Sequence, residues 1–268
     1  MNLVLQGPAL TEDQAKELGP VERISTRAFR IRNFSSQESI SSWCEERRID
    51  HAFVPDGRRF ADLKLVAMDM DSTLITMETI DELGDLVGKK REIAAITARA
   101  MRGEIDYPES LRQRVSLLKD LPESGLLEVY ETRLKLTAGA EALLAACSRH
   151  GVKTLLVSGG FTYFVERLKT RLGIDHAVSN TLELANGKLT GRVLGDIVDA
   201  EAKASRFREV TKGMNRNQTV AIGDGANDLK MMAEAGLSVA FHAKPVVRAQ
   251  ASCALSWSGL DGVLNLFE

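Results

Sequence analysis

Apolar residues gather into short runs separated by amphipathic stretches, and the two alternate over most of the chain. From residue 64 the runs read "LVAMD", "VKTLLVSGG", "HAVSN", "TVAIGDG" and "LSVAFHAKP", each of a length that suits a buried strand. Between them lie helix-patterned segments such as "AEALLAACSRHG", which follows "LTAG" and stops at Gly151, where a C-cap glycine belongs. Apolar strands alternating with amphipathic helices predict an α/β fold with a Rossmann-like core, a parallel sheet covered on both faces. Right-handed crossovers then bring the C-terminal ends of the strands to one rim. "LELANGKLTG" interrupts the series as a hairpin-like insert.

Two intervals depart from this alternation. Residues 1–60 run "LVLQG", "TEDQAKELG", "ISTRAFRIRNF", "SSQESISSWCEERR" and "HAFVP", which predicts a small N-terminal β-α-β-α-β extension. The turn-rich "PDGRR" at 55–59 marks its junction with a core spanning 61–268. The extension carries no chemistry of its own and reads as a packing module; a homodimer through it is allowed by the sequence but not required. From about Thr76 to Leu136 the chain is rich in helix formers and shows no convincing strand, so a helical cap over 76–136 is expected above the rim. "GKKRE" at 88–92 reads as a solvated face.

Composition narrows the function classes. The 268 residues carry a formal net charge of -2 and only 5% aromatics, which gives no electrostatic footprint for nucleic acid or for an anionic membrane. No apolar stretch is long enough to span a bilayer, and the first residues lack the pattern of a secretory signal. A soluble cytoplasmic protein with a small-molecule substrate is expected. Cys44, Cys147 and Cys253 are widely spaced, which fits buried thiols better than a disulfide framework or a zinc site.

The chemistry begins at "LKLVAMDMDSTLI", residues 63–75, where a strand-like run ends on Asp69 and Asp71, two positions apart and facing the same way. Every other polar oddity of the core also follows a strand. Ser158, Gly159 and Gly160 end the second, Asp224, Asn227 and Asp228 follow "TVAIG", and Lys203 opens a helical stretch between. Oxygen ligands from Asp69, Asp71 and Asp224 suit a hard octahedral cation such as Mg²⁺. Metal and Lys203 together would neutralise a phosphate dianion, against which Asp69 can act as nucleophile and form an aspartyl phosphate. Asp71 is placed to protonate the leaving alkoxide and later to deprotonate water. Ser158, the Gly159 amide and Asn227 would hold the phosphate oxygens.

A blander explanation, strand-end acids that merely cap helices, suits one Asp alone but not the whole set. "GDGAND" differs from a dinucleotide loop because Asp228 stands at the third glycine position. His242, Met231 and Met232 read as structural.

"DMDST", "SGG", Lys203 and "GDGAND" resemble, in order, the four signature motifs of the haloacid dehalogenase superfamily of aspartate-nucleophile phosphatases, over roughly residues 64–268. "DSTLITMETIDEL", "SLRQRVSLLKDLP", "VSGGF", "NGKLTG" and "AIGDGANDLKMMAEAGL" are similar to the branch of that family that acts on O-phospho-L-serine. The resemblance implies hydrolysis of that compound to L-serine and phosphate, the last step of serine biosynthesis. It also implies Mg²⁺ held by the Asp69 side chain, the Asp71 backbone carbonyl and Asp224, so that the Asp71 carboxylate stays free for proton transfer.

By matching position, Glu78 and Arg114 would hold the ammonium and carboxylate of the substrate, roles their chemistry fits. Met101 and Tyr107 align with cap residues that close over the substrate, and Tyr107 stands where the family has Phe. The N-terminal extension resembles the family's variable extensions only loosely and looks short for a complete regulatory fold. Three rivals remain open: the same chemistry on phosphohomoserine or phosphothreonine, phosphoryl transfer to an acceptor other than water, and a phosphoacceptor signalling domain. Asp71 and the cap speak against the last.

Overall fold

The computed structural model describes residues 1–35 and 39–268. The chain starts with β1 (Asn2–Gln6), α1 (Glu12–Lys16), β2 (Glu22–Ser25), β3 (Ala28–Ile31), α2 (Ile40–Arg47) and β4 (Asp50–Val54). These strands form an antiparallel sheet in the order β2-β3-β1-β4. The β-α-β-α-β expectation is therefore corrected: "ISTRAFRIRNF" is a hairpin, not one strand, with Ser25 paired to Ala28 around Thr26 and Arg27. That turn carries none of the Gly or Asn that usually announces a two-residue hairpin. The helix expected in "SSQESISSWCEERR" begins at Ile40, and residues 36–38 of that stretch lie outside the described residues.

Both faces of this sheet are covered, as the two-residue period of a strand allows. Leu3 and Leu5 face a cluster with Phe29, Ile31, Ile40 and Cys44, while Val4, Ala52 and Val54 belong to the main core of the protein. Polar contacts close the seam. The buried Asp50 carboxylate accepts from the backbone N–H groups of Ser256 (2.6 Å), Trp257 (3.0 Å) and Ser258 (2.8 Å). Arg30 donates to the Phe267 carbonyl at 2.7 Å.

The rest of the chain runs β5 (Leu65–Met68), α3 (Thr79–Leu86), α4 (Lys90–Met101), α5 (Tyr107–Ser116), α6 (Glu123–Glu128), α7 (Ala140–His150), β6 (Lys153–Phe161), α8 (Thr162–Leu172), β7 (His176–Ala185), β8 (Lys188–Leu194), α9 (Ala200–Val210), β9 (Thr219–Gly223), α10 (Leu229–Glu234), β10 (Leu237–Phe241), α11 (Pro245–Arg248) and β11 (Cys253–Leu255). A sheet in the order β11-β10-β9-β5-β6-β7-β8 is parallel from β11 to β7, and β8 pairs antiparallel with β7. Every residue of β5, β9 and β10 is buried, which is why these strands read as unbroken apolar runs. The α/β expectation holds. Gly151 ends α7 in the left-handed conformation, φ 67°, as its position predicted.

After β5 the chain rises into α3–α6 and returns at Leu136, which bridges back to Ile75. Thr76 N–H donates to the Lys135 carbonyl and Thr137 N–H to the Leu74 carbonyl, each at 3.0 Å, so two short antiparallel segments carry this helical insertion. Leu83, Ile93, Leu111, Val115 and Leu118 bury its inner face. The β7–β8 hairpin supports it from the side, with Asp120 N–H donating to the Leu189 carbonyl and Leu189 N–H to that of Leu121, each at 2.9 Å. Among the described residues, no helix is long and apolar enough to cross a membrane.

Candidate active site

Asp69 is the first residue beyond β5 and keeps an extended backbone while its Oδ1 accepts from the Met70 N–H at 2.8 Å. A sharp turn follows. Ser72 has φ 57°, a left-handed value rare for residues with a side chain, and its hydroxyl donates to Glu78 Oε1 at 2.8 Å. The turn directs the Asp71 carboxylate to Thr79, whose hydroxyl donates to Oδ2 at 3.1 Å. It also sets that carboxylate against Gly160, where an added Cβ would lie 2.9 Å from Asp71 Oδ2.

Lys203 enters from α9. Asp199 caps that helix by accepting from the N–H groups of Glu201 and Ala202, each at 2.9 Å, and Lys203 faces inward with Ala204 and Phe207. Its ammonium lies 2.9 Å from Asp69 Oδ1 and 2.8 Å from Asp228 Oδ1 and is shut off from solvent. Asp228 is fully buried, and its Oδ2 accepts from Gly225 N–H at 3.1 Å. Sequence reasoning saw Asp228 only as a loop acid. Its place four residues after Asp224 in the same loop was the available signal.

Asp69, Asp224 and Asp228 offer carboxylate oxygens that all lie within 4.8 Å of one another. The third acid of the cluster is thus Asp228, since the Asp71 carboxylate is engaged by Thr79. Three carboxylates face one lysine, and the electrostatics record the imbalance. Burial and the neighbouring Asp228 push Asp69 up to about 8, against the pull of Lys203. Burial, Asp228 and Glu78 push Asp224 up to about 6. Burial, then Glu78 and Asp69, raise Asp71 well above the usual carboxylate range. Burial opposes the charge on Lys203, but Asp228 and Asp69 outweigh it and keep the lysine protonated.

A cluster of hard oxygen donors short of positive charge fits a hard divalent cation. Cation and protons then compete for the same oxygens. Mg²⁺ affinity is expected to fall as the pH drops below about 8, where Asp69 takes up its proton, and more steeply below about 6, where Asp224 does, by up to about tenfold per pH unit for each proton displaced. Titration calorimetry in buffers of different ionisation heat checks this; a pH-independent affinity with no proton release would contradict it.

A cleft of about 460 Å³ opens between the rim and the helical insertion. It is lined by Asp69, Asp71, Asp224 and Asn227 below and by Glu78 and Arg114 above, with Gly159 at the side. Ser158 and Lys203 do not line it; they lie buried behind its wall. Ser158 Oγ accepts from Gly160 N–H at 2.8 Å, which leaves the hydroxyl hydrogen available to an incoming oxygen.

Arg114 spends its Nε on the Ser110 carbonyl, 3.3 Å away, and no carboxylate pairs with it among the described residues. Met101 stands 67% exposed at the mouth. Tyr107 Oη donates to the Gly159 carbonyl at 3.1 Å, and Asn180 Nδ2 donates to the same oxygen at 2.8 Å. Burial pushes the Tyr107 phenol up to about 12, so it remains a donor. Nothing in the sequence announced Asn180, an amide in the middle of β7 whose partner comes from another strand. His242 lies outside the lining, with Nε2 3.0 Å from the Ser258 carbonyl oxygen.

A family model for haloacid dehalogenase-like hydrolases matches residues 66–233, and a second model of the same description matches 202–267. A phosphoserine phosphatase of Polaromonas sp. (strain JS666 / ATCC BAA-500) is 54% identical over 217 residues, which span 78% of this chain and 92% of that protein. The solved structure of a probable phosphoserine phosphatase from Vibrio cholerae, in unliganded form, is similar with a TM-score of 0.84 and 40% identity over 99% of this chain and 85% of that one. A structure described as a phospho-aspartyl intermediate analogue of phosphoserine phosphatase has a TM-score of 0.72 and 40% identity over 77% of this chain and 99% of its own.

Proposed function

The chain belongs to the haloacid dehalogenase-like hydrolases, and on that premise we infer that it is a phosphoserine phosphatase, hydrolysing O-phospho-L-serine to L-serine and phosphate through an aspartyl phosphate. One observation carries the reading: a single cleft joins the acids at the rim to Glu78 and Arg114 on the insertion, so phosphate chemistry and amino-acid recognition face each other. The product is serine, which makes the reaction a step of amino-acid biosynthesis. Three unpaired buried thiols, Cys44, Cys147 and Cys253, suit a reducing cytoplasmic location.

In the first half-reaction an Asp69 carboxylate oxygen attacks phosphorus, and the bond from phosphorus to the serine oxygen breaks. Asp71, held protonated by its surroundings, passes its proton to the departing alkoxide. In the second, Asp71 takes a proton from water, whose oxygen attacks the same phosphorus; the bond to Asp69 breaks and phosphate leaves. Lys203 pins one oxygen of Asp69 and leaves the other for attack. Ser158, the Gly159 amide and Asn227 receive the phosphate oxygens, while Glu78 and Arg114 take the ammonium and carboxylate of the serine moiety. The family uses a metal ion; here Asp69, Asp224 and the Asp71 carbonyl, with Asp228 beside them, would hold Mg²⁺, which would supply the charge that lets an anion approach a phosphate dianion.

Phosphate release from O-phospho-L-serine, phosphothreonine, phosphohomoserine and p-nitrophenyl phosphate, with Mg²⁺ or with EDTA, tests this. A metal-dependent preference for O-phospho-L-serine is expected; even turnover across the panel would keep the chemistry and remove the substrate. Arg114→Ala should lower kcat/KM for O-phospho-L-serine by about 10²-fold, the scale of a lost charged hydrogen-bonding partner, and leave the aryl phosphate within about threefold. Equal losses on both substrates would sink the role given to Arg114.

A further inference from the structure

Resting on the phosphatase reading above, we propose that Lys244 is the cation that draws the phosphate dianion into the cleft and at the same time restrains the affinity of the adjacent acids for their metal. Lys244 follows β10 and immediately precedes α11, whose first residue is Pro245. The turn that carries it is held by contacts at Lys244 and at His242. Lys244 N–H donates to the Asp224 carbonyl at 3.2 Å, His242 N–H donates to the Leu255 carbonyl at 2.7 Å, and the His242 ring nitrogen lies 3.0 Å from the Ser258 carbonyl oxygen. His242 itself adopts φ 44°, so the chain turns sharply just before Lys244. The lysine is thereby fixed beside Asp224 and lines the cleft.

The charges around the cleft give this position its meaning. Asp69, Asp71, Glu78 and Asp224 line it, against Arg114 and Lys244. Lys203 is consumed by Asp69 and Asp228 behind the wall. Arg114 belongs to α5, on the insertion. On the sheet side, Lys244 is therefore the one cation lining the cleft among the described residues, and it forms no ion pair there with any described carboxylate. An exposed lysine is ordinarily a solvated surface charge. This one differs in having its backbone tied to a metal-site residue and its charge unspent. The charge also acts on Asp224, whose ionised form it favours.

One positive charge at this place has effects of opposite sign on the two ligands. It attracts phosphate and repels a divalent cation. Loss of folded structure would instead weaken both, which gives the proposal its fingerprint. In Lys244→Ala, inorganic phosphate binding at saturating Mg²⁺ should weaken by about five- to tenfold, the effect of one partly screened charge. By the same electrostatics Mg²⁺ alone should bind about two- to fivefold more tightly, and the salt dependence of kcat/KM should flatten. Lys244→Arg should restore all three. Titration calorimetry with MgCl₂ and with inorganic phosphate reads the two affinities directly. Unchanged phosphate affinity in Lys244→Ala, or weakening of both ligands together, would overturn the proposal. Neither titration depends on turnover of O-phospho-L-serine, so a wrong substrate assignment would leave this test standing.

Discussion

Asp69→Asn is expected to abolish phosphate release, with kcat down by a factor on the order of 10⁴ or more, the usual consequence of removing a covalent nucleophile. The amide is nearly isosteric. It can still accept from Met70 N–H, and Lys203 keeps its bond to Asp228, so the fold should persist. What disappears is the anionic oxygen that attacks phosphorus. Rapid acid quench of wild type with radiolabelled substrate should trap label on the protein, and the variant should trap none. Near-normal turnover by a folded Asp69→Asn would remove Asp69 from the reaction.

Lys203→Met tests the same site through stability. The side chain is of similar length and apolar, so the change removes charge more than volume. It leaves Asp69 and Asp228 buried without their counter-ion, a loss worth about 3–5 kcal/mol when one partner of a buried pair is deleted. The pH dependence follows from Asp69. Its pKa already stands above the unfolded value of 3.8, at about 8, and Lys203 is among the groups that hold it down. An acid raised on folding favours the native state at low pH, and that contribution is lost as pH rises from the unfolded value through the folded one. Removing Lys203 lifts the folded value further, so the extra deficit opens as the pH rises past about 8, and urea unfolding should show a larger deficit at about pH 9.5 than at about pH 6, with partial recovery on adding Mg²⁺. A uniform deficit at both pH values would show that packing, not charge, was lost.

Much of the fold was legible because β5, β9 and β10 are buried along their whole length, and total burial leaves an unmistakable apolar run. The β2–β3 hairpin was hidden by an ordinary turn at Thr26 and Arg27. β11 has three residues, too few for any period to register. At the site, acids at strand ends could be gathered to one rim by topology alone. Which carboxylates face one another could not, because the left-handed turn at Ser72 and the hydroxyl of Thr79 decide where Asp71 points. The burial of Asp228 against Lys203, and the meeting of Tyr107 with Asn180 on one carbonyl, join residues far apart in sequence and leave no local trace.

That shared carbonyl has a thermodynamic consequence. Gly159 accepts from Tyr107 of the helical insertion and from Asn180 of the sheet, and the N–H of the same peptide unit, on Gly160, is held by Ser158. A ligand that orders this peptide stabilises the Tyr107 bond, and by reciprocity the seated insertion tightens the ligand by the same factor. If the proposed phosphate contact at the Gly159 N–H, on the adjoining peptide unit, orders this segment, opening of the insertion and release of phosphate are linked through Gly159.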